Sequence, residues 1–472
     1  MKSVSRYLFF SLLIILITGC NNEYVDNIDR GLGYNYRPGT PEIRLSSTGI
    51  IDPDKGELII VNVDAVQGSF IYKSKNDSLT ANFYLEITIL EANNNEVIHR
   101  SAEKKVIQSM ENSIVNSQKV ISFAKEFEVA PGDYKIHVLA SDEVSGKETF
   151  RETTASIPDK KEETSYITEI RILGKNSADT DNEFNALTLF YIPAKYDSLR
   201  FEFQVTNNKA DEPADIETRL MKFKYDTTVA KPMHFNNYHS SDISYEGIDY
   251  DEYDIVQSSV RMLSQTGTVN LEYNYDSLEK GNYRLEAVLN KGTDREVFKA
   301  RDFSIKSYSY PSISKADELA RPLVYIMTTS EYENLMSLTT NKEIKKAVDR
   351  FWLNNIGNSN LAKDVINLYY NRVEEANKQF SNFKEGWKTD LGMVYILFGP
   401  PWYVNKSLNE MVWSYTYNTS DPEKNFAFEA PKMNSKFYPF YNYLLQRHSY
   451  YYEIQYQQIQ NWRSGNILRS RL

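Results

Sequence analysis

Cysteine is nearly absent: Cys20 is the only one in 472 residues. An internal disulfide and a multi-cysteine metal cluster are therefore excluded. Histidine is scarce as well, with five in the chain. His234 and His239, in "HFNNYH", have no third histidine or cysteine near them in sequence and read as loop residues rather than a zinc pair. No metal and no cofactor is expected. An excess of positive charge is also missing, since 54 Lys and Arg stand against 64 Asp and Glu, for a formal net charge of -10 and a pI near 5.3. That balance argues against a phosphate-reading face, so nucleic acid is not an expected partner. There is no Gly-x-Ser-x-Gly elbow, no His-Glu-x-x-His and no P-loop, so no familiar catalytic motif points to an enzyme. Beyond the first twenty residues, no apolar run is long enough to cross a membrane.

The N-terminus is where apolar residues do gather. Lys2 and Arg6 precede "LFFSLLIILI", Leu8 to Ile17, and "ITGC" places small residues before Cys20. The pattern resembles a bacterial lipoprotein signal: residues 1–19 read as the signal peptide and Cys20 as the lipidation site of the mature chain. Acyl chains contribute roughly 0.8 kcal/mol per buried methylene, enough to hold such a chain on a membrane. Residues 20–45, rich in Asn, Gly and Pro, read as a tether. Glu23 and Asp26 resemble lipoprotein sorting signals, which places the protein in the cell envelope, at an outer membrane, periplasmic or surface-exposed.

Period-two alternation begins after the tether. In "LTANFYLEITILEA", Phe83, Leu85, Ile87 and Ile89 share one side and Tyr84, Glu86 and Thr88 the other, as in a half-buried antiparallel strand. "ELIIVNVD", "GSFIYK", "EVIHR", "KVISFAKEFEV" and "DYKIHVLA" continue the series and predict an all-β, immunoglobulin-like sandwich over 46–157. The charged stretch "IPDKKEETS", Ile157 to Ser165, reads as a linker. "YITEIRIL", "ALTLFYI" and "LRFEFQVT" then open a second sandwich over 166–308. The two modules end alike: Gly132 and Tyr134 correspond to Gly281 and Tyr283, each Gly-x-Tyr opening a penultimate strand. The stretch "SSDISYEGIDYDEYD", Ser240 to Asp254, lacks the ligand spacing of a calcium loop and reads as a solvated acidic insertion.

Past the linker-like "SYSYPSIS" the period changes to helical, marking a third domain over 312–472. "LVYIM" is a short apolar run. Ser330 with Glu333, and Thr340 with Glu343, have capping-box spacing. Ile344, Ala347, Val348, Phe351 and Trp352 recur on one helix face, and Leu361, Val365, Leu368, Tyr369, Arg372, Val373, Ala376 and Phe380 on the next. "EGWKTDLGMVYILFGPP" follows. Its core, Met393 to Phe398, has no polar residue and predicts a strand buried on both sides. Gly386 serves a tight helix exit, Trp387 caps the core edge, Thr389 and Asp390 bond their own turn, and Gly399, Pro400 and Pro401 end the strand. "EMVWSYTY", "NFAFEAP" and "YYYEIQYQQIQNW" read as strand-like and then aromatic, with Met411, Trp413, Tyr415 and Tyr417 on one side.

Gly386, Trp387, Thr389, Asp390, Gly392, Gly399 and Pro400 resemble the signature of the GWxTD domain family, and the likeness extends over roughly Leu323 to Tyr456. The resemblance implies an exported or lipoprotein context and a structural role for the motif, and supplies no activity. The fold class expected is therefore two tandem all-β sandwiches followed by an α/β (α+β) GWxTD domain with a helical lead-in. The leading functional expectation is a non-enzymatic scaffold or interaction component of an envelope complex, with another envelope protein as partner. The alternatives are a surface glycan binder built on tyrosines, and a hydrolase using Asp390 with Glu410 or Glu429 as a carboxylate pair.

Overall fold

The computed structural model describes residues 39–469 apart from 76, 160–164, 179–182, 210–211, 408, 419–420, 422 and 432–441. Cys20, residues 1–19 and the tether as far as residue 38 lie outside the described residues. The first module contains β1 (Ile43–Asp52), β2 (Gly56–Val66), β3 (Lys73–Lys75), β4 (Ser78–Glu91), β5 (Val97–Ser109), β6 (Val120–Glu128), β7 (Gly132–Asp142) and β8 (Glu148–Ile157). One sheet has the order β1-β2-β6; in the other, β4 joins β3, β5 and β7, and β7 joins β8. Alternation explains the sandwich: Phe83, Leu85, Ile87 and Ile89 of β4 meet Val61 and Val63 of β2 in one core, while Tyr84 faces solvent. "GSFIYK" departs from the expected strand. It makes a short 3-10 turn and then β3, because Phe70 leaves the ladder to stack on Phe83 in the core, ring centroids 4.4 Å apart.

The second module contains β9 (Ser165–Ile167), β10 (Arg171–Lys175), β11 (Asn185–Ala186), β12 (Tyr191–Pro193), β13 (Ser198–Asn207), β14 (Ala214–Tyr225), β15 (Ile248–Leu263), β16 (Gly267–Asp276), β17 (Gly281–Leu289) and β18 (Val297–Lys306). Its sheets run β11-β10-β13-β16, with β9 beside β13, and β12-β18-β17-β14-β15. Both share a core that includes Phe201, Leu220, Leu285 and Phe303. The repeated Gly-x-Tyr is the same device in both modules: Tyr134 donates its hydroxyl to the Ala130 carbonyl (2.6 Å) and Tyr283 to that of Glu279 (2.8 Å). The acidic stretch is solvated as expected at Asp242, Asp251, Glu252 and Asp254, but it is regular structure rather than a loose insertion. A one-turn helix, α1 (Ile243–Glu246), leads into β15, because Ile248 is buried and anchors the ladder to β14.

The C-terminal part begins with α2 (Ala316–Ala320), α3 (Thr329–Met336), α4 (Asn341–Ile356) and α5 (Ser359–Phe380). Thr340 caps α4 by accepting from the Glu343 N–H, at the expected spacing. The box opening α3 is instead Thr328 with Glu331, and Glu331 is fixed further by Arg463. The apolar run "LVYIM" continues a 3-10 turn, Arg321–Tyr325, with Leu323 and Ile326 fully buried. Met393 to Phe398 is not the expected strand: Asp390–Phe398 is helix α6, packed on α5. An apolar run without a polar face suits a buried helix as well as a buried strand. The Thr389 side chain decides between them by accepting from the Gly392 N–H at 3.0 Å, a helix cap. The antiparallel sheet β19 (Tyr403–Lys406), β20 (Glu410–Ser414), β21 (Asn425–Glu429), β22 (Leu444–Leu445) follows. "YYYEIQYQQIQNW" then returns as helix α7 (Tyr451–Ser464), which buries Tyr451, Gln455, Gln458 and Trp462 along one face. Met411, Trp413 and Tyr415 point into the core as expected, but Tyr417 is exposed beyond the end of β20.

The three parts are joined by polar contacts that the linker readings did not foresee. Between the sandwiches, Gln204 clasps Ile51 at both backbone atoms, accepting its N–H at 2.7 Å and donating to its carbonyl at 2.9 Å. Between the second sandwich and the helices, Lys384 is buried against Asp226, and Lys306 donates to the Asn382 carbonyl at 2.9 Å. "SYSYPSIS" is part of this joint: Ser307 N–H bonds Glu385 and Tyr310 is buried. The loop between β14 and α1 also crosses over, so that Ala230 and Met233 belong to the C-terminal core. We therefore expect the second sandwich and the C-terminal domain to unfold in a single calorimetric transition. Asp226→Ala, which leaves the Lys384 ammonium buried without its partner, should lower the stability of that transition by roughly 3–5 kcal/mol. Separate transitions for the second sandwich and the C-terminal domain in the wild-type chain would contradict the joint.

Candidate functional site: the Gly-Trp-x-Thr-Asp turn

The turn is shaped by three backbones that approach too closely for side chains. A Cβ on Gly386 would lie 1.9 Å from the Ala376 carbonyl oxygen of α5, and one on Gly392 would lie 1.9 Å from the Gly386 carbonyl oxygen. The first glycine thus presses the turn onto α5, and the second presses α6 onto the turn. Gly399 has φ 84° and lies against the Arg372 guanidinium, a conformation that favours glycine. Pro400 follows it at the surface.

Trp387 is 4 % exposed, as its size and position predicted. Its indole N–H donates to Glu385 Oε2 at 2.9 Å, and its carbonyl accepts the Tyr325 hydroxyl at 2.8 Å. Thr389 holds the turn closed by donating to the Gly386 carbonyl at 2.7 Å while it caps α6. Asp390 does not bond its own turn. Its carboxylate makes a bidentate pair with Arg447, Oδ1 to Nη2 at 2.7 Å and Oδ2 to Nη1 at 2.8 Å, and accepts the Leu445 N–H at 2.8 Å. Both side chains of the pair are buried. Tyr238 adds its hydroxyl to Asp390 at 3.3 Å, and burial raises that phenol well above its ordinary range.

The carboxylate pair proposed for hydrolysis is not assembled. Asp390 is buried in its ion pair, whereas Glu410 and Glu429 are exposed cross-strand neighbours on β20 and β21. The two histidines also part company: His234 lies edge-on to Tyr452, ring centroids 4.9 Å apart, and His239 bonds Ser241. Among the described residues, no three His, Cys, Asp or Glu side chains converge as metal ligands.

Sequence reasoning missed Arg447, Tyr238, Lys384 and Asp226, which carry no local pattern. Arg372 was visible as the one charge in an otherwise apolar stripe. It donates from α5 to the Ile396 and Leu397 carbonyls at 3.1 and 3.2 Å, satisfying carbonyls at the buried C-terminal end of α6. Gln458 and Trp462 of α7 bond the same Leu397 carbonyl, at 2.7 and 3.0 Å. Burial lowers the Arg372 pKa to about 10.

Below the turn lies a second charged layer. Burial raises the Glu385 carboxyl, but Lys388 and the N–H donors from Ser307 and Trp387 outweigh it and bring its pKa down to about 2. Lys306 is buried deeply enough to fall from 10.5 to about 7. Beside the motif runs a groove of about 450 Å³, walled by Tyr325, Met393, His234, Tyr452 and Tyr456.

Residues 288–464 match the family model for the GWxTD domain. The chain carries a GWxTD domain. The match begins in β17, well before the Leu323 suggested by sequence motifs, and so takes in β18, whose Lys306 is part of the joint. A comparison with curated proteins gives no match. Among solved structures, red sea bream transglutaminase is similar at 11 % identity over 56 % of this chain and 31 % of its own, with a TM-score of 0.18. The native conformation of E. coli alpha-2-macroglobulin is similar at 13 % identity over 58 % of this chain and 16 % of its own, TM-score 0.18. Salmonella alpha-2-macroglobulin reacted with methylamine gives 13 % identity over 59 % and 17 %, TM-score 0.18. The GWxTD chain thus spans less than a third of each of these proteins, and likeness at this level carries no functional argument.

Asp390→Asn in the GWxTD turn removes the charge that compensates buried Arg447 and should cost roughly 3–5 kcal/mol, whereas a residue bonding only its own turn would tolerate the change. Trp387→Ala should cost a similar amount, about 3–5 kcal/mol, by leaving a cavity. Gly386→Ala and Gly392→Ala should abolish the native fold, because the obstructing atoms are backbone. Urea unfolding of each variant measures these effects, and a near-silent Asp390→Asn would refute the role given to the pair.

Titration of the lower layer has a definite sign. Between about pH 7 and 10.5 the unfolded Lys306 holds a proton that the folded one has released, so stability from this group rises with pH across that window. Glu385 acts at the acid end: its contribution is complete above 4.5 and is lost as pH falls toward about 2. Lys306→Met should flatten the alkaline rise in a pH series of melting temperatures, and an unchanged rise would remove Lys306 as its source.

Proposed function

We propose that this GWxTD protein is a membrane-anchored lipoprotein of the cell envelope, held at the outer membrane through Cys20, that acts as a non-enzymatic scaffold or interaction component. The observation that carries the reading is the use made of the signature's polar groups. Trp387 Nε1, Thr389 Oγ1 and the Asp390 carboxylate are all engaged with this same chain, which leaves the motif an architectural role. Polar clasps at both joints support an arm of fixed geometry between anchor and GWxTD domain. The paired hydroxyl bonds of Tyr134 and Tyr283 have the form of tyrosine corners and support the immunoglobulin-like reading of both sandwiches.

A glycan-binding surface is the second reading. Trp402, Tyr403 and Tyr417 are 48 %, 53 % and 79 % exposed and cluster with ring centroids 5.1 and 5.9 Å apart, an arrangement able to stack on sugar rings.

Cys20→Ser is expected to lose radiolabelled palmitate and to move from the detergent phase to the aqueous phase; equal label in both versions would end the lipoprotein reading. Crosslinking in intact cells should then yield a discrete complex with another envelope protein. If no such complex forms, and a glycan array retains the purified chain but not its Trp402→Ala variant, the glycan reading takes first place.

A further inference from the structure

β15 lies at the edge of its sheet, with β14 on one side and no strand on the other among the described residues. It runs for 16 residues without proline, glycine or lysine. Ile255, Val260 and Met262 are 53 %, 71 % and 67 % exposed. Folded proteins blunt such edges or cover them, because free N–H and C=O groups beside aliphatic side chains are a template for another strand.

The register with β14 shows which side chains share a face. Phe223, Met221, Glu217 and Asp215 stand opposite Tyr253, Ile255, Val260 and Met262, and Met221 and Phe223 face away from the sandwich core. Lys222 and Ile216 stand opposite Asp254 and Arg261 on the core-facing side. A bulge lies between Leu220 and Met221, whose partners Gln257 and Ile255 skip Val256. The bulge changes the alternation, so that Ile255 and Val260, five residues apart, lie on the same face.

We propose that β15 pairs antiparallel with β15 of a second copy of this chain, about a two-fold axis at Ser258, with the bulged Val256 and Gln257 of each strand set against Ser259 of the other. In this register Ile255 meets Val260 of the second copy, Tyr253 meets Met262, and Asp254 meets Arg261, each twice by symmetry. Apolar residues pair on the outer face and opposite charges on the inner one, the arrangement that stabilises cross-strand neighbours. Only the bulge makes this register consistent, since in a regular strand residues five apart point to opposite faces. Sliding by one residue sets Val260 against Asp254 on the wrong face. Sliding by two sets Met262 against Asp251 in one direction, and in the other sets Arg261 against Val256. The dimer does not depend on the scaffold reading or on lipidation.

Sedimentation of the full-length chain over a concentration series in density-matched detergent tests the pairing. A reversible dimer is expected. Asp254→Arg and Arg261→Asp should each raise its dissociation constant by about tenfold or more, and the double exchange should restore it. Val260→Lys, at an exposed position, should weaken the dimer with an unchanged circular dichroism spectrum and melting temperature, which keeps the test independent of the Arg261 contact with Tyr273. A wild-type monomer, a dimer indifferent to Val260→Lys, or a double exchange that folds but stays monomeric would each overturn the proposal.

Discussion

One buried ion pair, Asp390 with Arg447, ties together parts of the GWxTD domain that lie far apart in sequence. Asp390 opens helix α6, where a carboxylate also complements the positive end of the helix dipole. Arg447 follows β22, donates to the Leu445 carbonyl there, and also reaches the Pro232 and Lys231 carbonyls and the Tyr238 hydroxyl in the loop from the second sandwich. A single carboxylate thereby fixes the central helix, the last strand and a limb of the neighbouring module. Such a pair is costly to desolvate and adds little net stability over an apolar replacement. Its value lies in geometry: two forked groups fit each other in one orientation only, and an apolar contact would let the loop slide.

The close backbones of the motif depend on that orientation. Gly386 and Gly392 bring α5, the turn and α6 into direct contact, which places the α6 carbonyls of Ile396 and Leu397 within reach of Arg372, Gln458 and Trp462. A helix apolar on every side has no solvent to satisfy its ends, so its neighbours must do so. The signature is therefore best understood as one half of a seating device. The other half is Arg372, Arg447, Gln458 and Trp462, which lie before and after the motif in sequence.

That division explains what could be read from the sequence. Where one face of an element meets water, the pattern was legible: β4 alternates as written, α4 starts at Thr340, and the repeated Gly-x-Tyr steps form the same bond in both sandwiches. Where an element is covered all round, periodicity carries no information, and Met393 to Phe398 was assigned to the wrong class. α7 failed for the opposite reason. Its buried face is built of Tyr, Gln and Trp, whose polar ends bond backbone far away in sequence, so no aliphatic stripe appeared. Asp390 looked like a turn residue because its partner lies 57 positions downstream. The joint residues Lys384 and Asp226, 158 apart, were invisible in the same way.

The hydrophobic clusters and the polar joints do different work. Each sandwich and the GWxTD domain has its own apolar core, which is enough to make three compact bodies. Apolar burial is indifferent to small rotations of one body on another, whereas hydrogen bonds and ion pairs weaken within a few tenths of an ångström and a few tens of degrees. The Gln204 clasp on Ile51 and the Lys384 pair with Asp226 therefore set the angles between bodies, as Asp390 and Arg447 set those within the last one. A chain that needed only to tether a domain at a distance would be served by the Gly- and Ser-rich linkers that give reach without orientation. Polar groups buried at both joints instead fix the direction in which the GWxTD domain faces, and with it the direction in which the open edge of β15 is presented.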